Sequence, residues 1–120
     1  YWLLGGETLA AARAGFIGIH YSRLPAYRGT SPLVWQILNG EREAGFSLFS
    51  LTEGMDEGPV WAQGTVPIGA ADDVATVLHR LEGAVLAAVD ELVPAILAGR
   101  AAPRPQDATP PTYCAARLPD

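Results

Sequence analysis

An α/β fold is predicted for this 120-residue chain by three observations. Segments patterned as strands alternate with segments patterned as helices. The apolar stretch LVWQILN, residues 33–39, is bracketed by Ser31-Pro32 and Gly40, the punctuation of a helix. Apolar residues then recur at helical spacing from Val74 to Ile96, too long a run for a strand.

Taken in order, Tyr1-Trp2-Leu3-Leu4 reads as the end of a strand, and Gly5-Gly6 as a turn. Residues 7–14, ETLAAARA, are strong helix formers, with Gly15 placed to cap the C-terminus. Phe16 to Ile19 is a short apolar run with a β-branched bias, expected as a buried strand. A loop over 21–30 follows, then the helix capped by Ser31, with Leu33, Val34, Ile37 and Leu38 on one face. Residues 45–51 read as a strand and 52–59, TEGMDEGP, as a loop. Residues 60–68 alternate, with Val60, Ala62, Gly64, Val66 and Ile68 on one side and Trp61, Gln63 and Thr65 on the other.

Asp72 or Asp73 is placed to cap the long helix that carries Val74, Val77, Leu78, Leu81, Val85, Val89, Leu92 and Ile96. Pro94 is expected to kink it or end it early. Gly99 stops it, and Pro103 and Pro105 prevent its continuation. Residues 1–100 then form the domain, and 101–120 an extended tail or linker.

Composition narrows the function. The net charge is −5 with 8 Lys plus Arg and no basic run, which argues against binding bare nucleic acid. A folded RNA handled through a partner domain stays open. The single cysteine, Cys114, allows no internal disulfide and no cysteine metal cluster, which fits a reducing, cytoplasmic setting. The apolar C-terminal segment is broken by His79, Arg80, Glu82, Asp90 and Glu91, so no membrane span is expected.

Chemistry concentrates around GIHYSRLPAYRG, residues 18–29. His20 falls at the end of a strand, where open α/β sheets place ligands. Asp56 lies in a glycine-flanked loop after a later strand. A carboxylate beside an imidazole favours the charged ring and selects which nitrogen carries the proton. Such a ring can donate to an oxygen gaining charge or shuttle a proton from an attacking amine. Taken singly, His20 also reads as a structural histidine and Asp56 as a turn former between Gly54 and Gly58. Arg28 is either an anion contact or an exposed loop charge. Ser22 is placed to bond backbone within the turn. Tyr27 and Trp35 read as packing residues, His79, Glu53 and Glu57 as surface, and Cys114 as incidental.

GIHYSRLPAYRGTSP resembles the signature of formyltransferases that use 10-formyltetrahydrofolate, roughly Asn-x-His-x-Ser-x-Leu-Pro followed by Tyr-Arg-Gly-x-x-Pro. NGEREAGFSLFSLTEGMDEGPVWAQ is similar to the family's Asn-Gly-Glu … Thr-Gly-Val … Met-Asp-x-Gly stretch, and PQDATPPTYCAARLPD to the segment that ends its catalytic domain. The resemblance implies a Rossmann-like formyltransferase fold of which this chain is the second half, without the N-terminal strand-helix units. Either those units precede Tyr1 in a longer protein, or a second copy supplies the missing strands. It implies that His20 is the catalytic histidine and Asp56 its carboxylate partner. Thr52, Glu53, Gly54 and Met55 would receive the folate's pterin, with Leu24 and Pro25 shaping a neighbouring wall. The implied reaction moves a formyl group from 10-formyltetrahydrofolate to an amine, on methionyl-tRNA or an amino sugar. A formyltetrahydrofolate hydrolase and a catalytically impaired folate-binding module are the alternatives. The family's asparagine two residues before the histidine is Gly18 here, which removes one oxyanion donor and opens space on His20's side of the strand.

Overall fold

The structure is a computed structural model and describes residues 3–13 and 15–116. Its elements are α1 (Gly6–Ala10), β1 (Ile17–His20), β2 (Arg28–Gly29), α2 (Pro32–Leu38), β3 (Glu43–Ser50), β4 (Val60–Pro67), α3 (Val74–Leu97) and β5 (Tyr113–Cys114). The fold is the expected mixture of α and β. The main sheet runs β1-β3-β4, with β3 central and antiparallel to both neighbours. β2 and β5 form a separate parallel pair.

β3 is central because its sequence can be buried on both faces. Ala44, Phe46 and Leu48 point into a cluster built with Val77, Leu81, Val85 and Leu92 of α3. Phe49 points the other way, into a smaller cluster with Leu24 and Val60. Val77 and Leu81 are fully buried, each stabilising the fold by about 1.5–3 kcal/mol relative to exposure. Asp73 caps α3 as expected, its Oδ1 accepting from the Thr76 N–H at 2.8 Å.

Several expectations are corrected. Of the N-terminal strand, Tyr1 and Trp2 lie outside the described residues, and Leu3-Leu4 carries no strand. The first helix spans only Gly6–Ala10 and buries no residue, so nothing beyond local propensity extends it. Ser31 stands at the start of α2 in a left-handed conformation (φ 53°) and makes no capping bond. The buried face of α2 is Leu33 and Gln36, while Leu38 is 58% exposed. Gln36 sets that rotation. Its amide donates to the Tyr21 carbonyl at 2.6 Å, and its Oε1 accepts from the Gly45 N–H at 3.0 Å.

In β4 the register shifts so that Leu48 faces Ala62 and Phe49 faces Val60, which leaves Trp61 bulged between them. Trp61 therefore packs with Ala62 on the α3 side, and Val60 joins the opposite cluster. α3 passes through Pro94 and continues to Leu97. Proline removes only its own donor, and its carbonyl still accepts from Ala98 at 3.0 Å while Ile96 packs on the core. Gly99 (φ 70°) then turns the chain out of the helix.

Residues 101–116 run extended but lie against the domain. Val60 and Arg104 exchange backbone hydrogen bonds at 2.7 and 2.9 Å, and β5 pairs with β2. No helix among the described residues is long and apolar enough to cross a membrane.

Two outcomes follow for stability. In the full-length protein, Leu81→Ala is expected to lower the free energy of urea unfolding by about 2–5 kcal/mol; a loss below about 0.5 kcal/mol would mean that α3 is not packed on the sheet as described. Asp72, bonded to Arg80 and the Gly69 N–H, and Asp73, bonded to Thr76, are both held below the usual carboxylate range. Their stabilisation is present above the unfolded carboxylate value and is lost as pH falls through and below it. The double variant Asp72→Asn/Asp73→Asn is accordingly expected to melt at a lower temperature than wild type at neutral pH. It should also show a smaller further drop in Tm between about pH 5 and pH 2.

Candidate active site

His20 ends β1 opposite Ser47 of β3, and Gly18 lies opposite Phe49. Residues two apart on a strand share a face, so Gly18, His20, Ser47 and Phe49 all occupy the sheet face turned away from α3. The loop after His20 folds back over that face and is fastened by buried polar groups. Ser47 Oγ accepts from the Leu24 N–H at 3.0 Å and donates to the Ser22 carbonyl at 2.7 Å. Gln63 Nε2 donates to the Leu24 carbonyl at 2.8 Å and to Ser47 Oγ at 2.9 Å. Ser22 Oγ closes the turn on the Ala26 carbonyl at 2.6 Å, the backbone role read from its position.

This fastening delivers Tyr27 to the histidine. His20 Nε2 donates to the Tyr27 carbonyl at 2.7 Å; a carbonyl only accepts, so this nitrogen carries a hydrogen. The other nitrogen, Nδ1, lies 3.8 Å from Asp56 Oδ2, within ion-pair reach but longer than a direct hydrogen bond. His20 is 6% exposed and Asp56 2%. The Asp56 carboxylate is further held by the Gly29 N–H at 2.8 Å. Gly29 has φ 106°, and a Cβ there would sit 2.6 Å from the Cys114 carbonyl oxygen, so this donor requires glycine. Phe49 meets the imidazole edge-on, with ring centroids 6.4 Å apart.

Among the described residues three non-glycine residues have positive φ, Asp56 itself (52°) and, nearby, Tyr27 (56°) and Ser31 (53°). Such a conformation costs on the order of 1–3 kcal/mol and persists only where its surroundings fix it. Tyr27 and Asp56 are the two residues that flank the ring. Thr112 fixes Tyr27, its Oγ1 accepting from the Tyr27 N–H at 2.7 Å.

The residues singled out in the sequence are not all brought together. His20 and Asp56 meet. His20 opens on a cleft of about 340 Å³ lined by Ile19, Gly29, Thr30 and Pro32 among others. Thr52 and Gly54 line a second, small cleft of about 30 Å³ with Leu3, Leu4, Phe49 and Leu51, and it reaches Asp56. Glu53 is exposed and Met55 half-buried in the same loop. Leu24 and Pro25 line a third groove, with Gln63 and residues of the tail, and share no cleft with Thr52 and Gly54.

A Cβ at Gly18 would lie 2.5 Å from Leu51 Cδ2, the far end of a flexible side chain, so Leu51 must turn aside before the space expected there opens. Arg28 is not free, and among the described residues it pairs with no acid. It donates to the Tyr113 hydroxyl at 3.0 Å and to Gln106 Oε1 at 2.7 Å. Tyr27 and Trp35 bond as well as pack, Tyr27 through its hydroxyl to Glu41 and Trp35 through its indole to the Ala115 carbonyl. His79, Glu53 and Glu57 are exposed. Burial first, and then the Asp56 charge, push the Cys114 thiol up, which keeps it a poor nucleophile. Among the described residues no group of three His, Cys, Asp or Glu is placed to hold a metal ion.

Four contributors escaped the sequence reading. Ser47 stood in an apolar-patterned strand, where a polar residue is a signal that was available, whereas Gln63 fell on the polar side of an alternating strand and gave none. Gln106 and Thr112 sat in a proline-rich stretch with no periodicity and offered none.

The model of the formyl transferase family matches residues 1–90. The methionyl-tRNA formyltransferase of Sorangium cellulosum is 41% identical over 116 residues, covering 94% of this chain and 36% of the relative. Among solved structures, HypX from Aquifex aeolicus in complex with tetrahydrofolic acid is similar at TM-score 0.72 and 29% identity. The match covers 82% of this chain and 17% of that one. The formyltransferase PseJ from Anoxybacillus kamchatkensis, with a formamido sugar nucleotide and tetrahydrofolate, shares the fold at TM-score 0.81 and 23% identity, over 95% of this chain and 59% of that one. The chain spans about a third of the length of the curated relatives it matches, 32–36% for the first four. The family match over residues 1–90 and the 41%-identical relative place this chain in the formyltransferase family, with the Rossmann-like fold of its solved relatives.

Proposed function

We propose that residues 1–100 carry part of a catalytic domain that transfers a formyl group from 10-formyltetrahydrofolate to an amine, with His20 and Asp56 as the reactive pair. The observation that carries this reading is the buried imidazole held 3.8 Å from a buried carboxylate at the edge of an open cleft. The methionyl-tRNA specificity of the 41%-identical relative favours the amine of methionyl-tRNA as acceptor, and an amino sugar is the alternative. The tetrahydrofolate in the HypX and PseJ structures supports the donor.

The residues present fit one side of such a donor. Leu51 and Phe49 offer an apolar wall, and the backbone of 52–55 runs along it, next to Asp56. A cleft of about 30 Å³ admits only the edge of a ring, so this chain contributes a wall and not the whole pocket. The donor supplies the activated formyl carbon. With the Nε2 hydrogen held by the Tyr27 carbonyl, the proton that His20 offers to the formyl oxygen as the amine attacks is one carried on Nδ1, which stands 3.8 Å from Asp56, longer than a direct hydrogen bond. Asp56 orients the ring and balances its charge, and the Tyr27 carbonyl fixes one nitrogen so that the ring cannot turn.

Gly18 favours a second reading, a site that binds the donor and transfers slowly. Leu51 stands where an amide at position 18 would need room. The two readings differ in rate and not in donor affinity.

In the full-length protein, His20→Ala and Asp56→Asn are each expected to lower kcat for formyl transfer by roughly 10²–10⁴-fold, with donor affinity changed little. Equal rates in His20→Ala and wild type would remove the catalytic assignment. Gly18→Asn alone is expected to bring little or no gain in rate, because its Cβ is seated only by displacing the Leu51 side chain. Combined with Leu51→Ala it should raise the rate over Leu51→Ala alone, by up to about 10²-fold. A faster single variant would contradict the steric account.

A further inference from the structure

The segment after α3 reaches the loops on both sides of His20, and a single side chain ties them together. Gln106 Nε2 donates to the Asp56 carbonyl at 2.6 Å and to the Gly58 carbonyl at 3.0 Å. Its Oε1 accepts from Arg28 Nη2 at 2.7 Å. Arg28 stands between Tyr27, whose carbonyl holds one nitrogen of the ring, and Gly29, whose N–H holds the carboxylate facing the other. Asp56 is itself left-handed, a conformation that persists only where neighbours fix the backbone, and Gln106 bonds the carbonyl of that very residue.

The chemistry of the position demands an amide. Two carbonyls on one side require a donor, and a guanidinium on the other requires an acceptor. Glutamate keeps the acceptor and loses the donor, while leucine loses both. Arg28 makes no ion pair among the described residues, so neutral partners, Gln106 and the Tyr113 hydroxyl, set its direction.

We propose that Gln106 is a positioning residue, which sets the separation and orientation of His20 and Asp56 by joining the Asp56–Gly58 loop to the Tyr27–Gly29 loop. The inference rests on the reading of His20 and Asp56 as the reactive pair. The tail is thereby part of the catalytic device: a displacement of residues 104–114 moves both neighbours of the imidazole together. Small misplacements of a reacting group are enough to cost one to two orders of magnitude in rate.

The test uses the full-length protein with Gln106→Leu and Gln106→Glu, the second keeping size and the bond to Arg28. Two quantities are read: kcat and KM for formyl transfer, and the ¹⁵N chemical shifts of the His20 ring at fixed pH, which report where its protons sit. Both variants are expected to lose roughly 10- to 100-fold in kcat with KM nearly unchanged. Their ring shifts should move in the same direction as in Asp56→Asn. Wild-type ring shifts in both variants would overturn the proposal whatever the rates do, since a merely structural role leaves the imidazole unmoved. Should Gln106→Leu not fold, Gln106→Glu alone decides. Should the wild-type protein transfer no formyl group, the functional reading fails by that result, and the ring shifts still decide whether Gln106 positions the pair.

Discussion

The arrangement depends on one imidazole held between two oxygen groups. The Tyr27 carbonyl takes the hydrogen of His20 Nε2, and the Asp56 carboxylate faces Nδ1. Neither neighbour is adjacent to His20 in the chain, and both sit in left-handed conformations, which aspartate tolerates and tyrosine seldom adopts. A carboxylate 2% exposed is costly to bury without partners, and Asp56 has the Gly29 N–H and the ring to offset that cost. The two loops thus converge on the ring, and the sheet holds the loops.

The division between the two faces of β3 makes this workable. Toward α3, Ala44, Phe46 and Leu48 form an apolar core that needs no directional bonding. Toward the site, Ser47 stands opposite His20 and next to Gln63, and these two side chains fasten the backbone of Ser22 and Leu24. Alternation along one strand therefore supplies stability on one side and positioning on the other. Buried polar groups of this kind are tolerable because they are mutually satisfied.

The sequence made the regular elements legible, since their signals are local. Periodicity from Val74 to Ile96 and the Asp73 cap marked α3, and Pro32 with Gly40 bounded α2. Local rules failed where tertiary contacts overrode them. Gln36 turned α2 so that Leu38 faces out, the Trp61 bulge moved Val60 across the sheet, and packing of Ile96 carried α3 past Pro94. In the site, His20 and Asp56 were legible because residue type and motif point to them. Gln106 and Thr112 were not, because their roles come from side chains reaching loops 50 and 85 residues away in sequence. Gly18 looked like open space from its lack of a side chain, whereas the end of the Leu51 side chain reaches into that space from just after β3.

The most direct measurement of the central claim is a double-mutant cycle on His20 and Asp56, with formyl-transfer rates of the full-length protein compared among wild type, His20→Ala, Asp56→Asn and the combination. If the carboxylate acts through the ring, the double variant is no slower than His20→Ala alone, because removing the ring leaves Asp56 nothing to orient. Rate losses that multiply across the two sites would contradict the account, for they would mean that the two groups work independently.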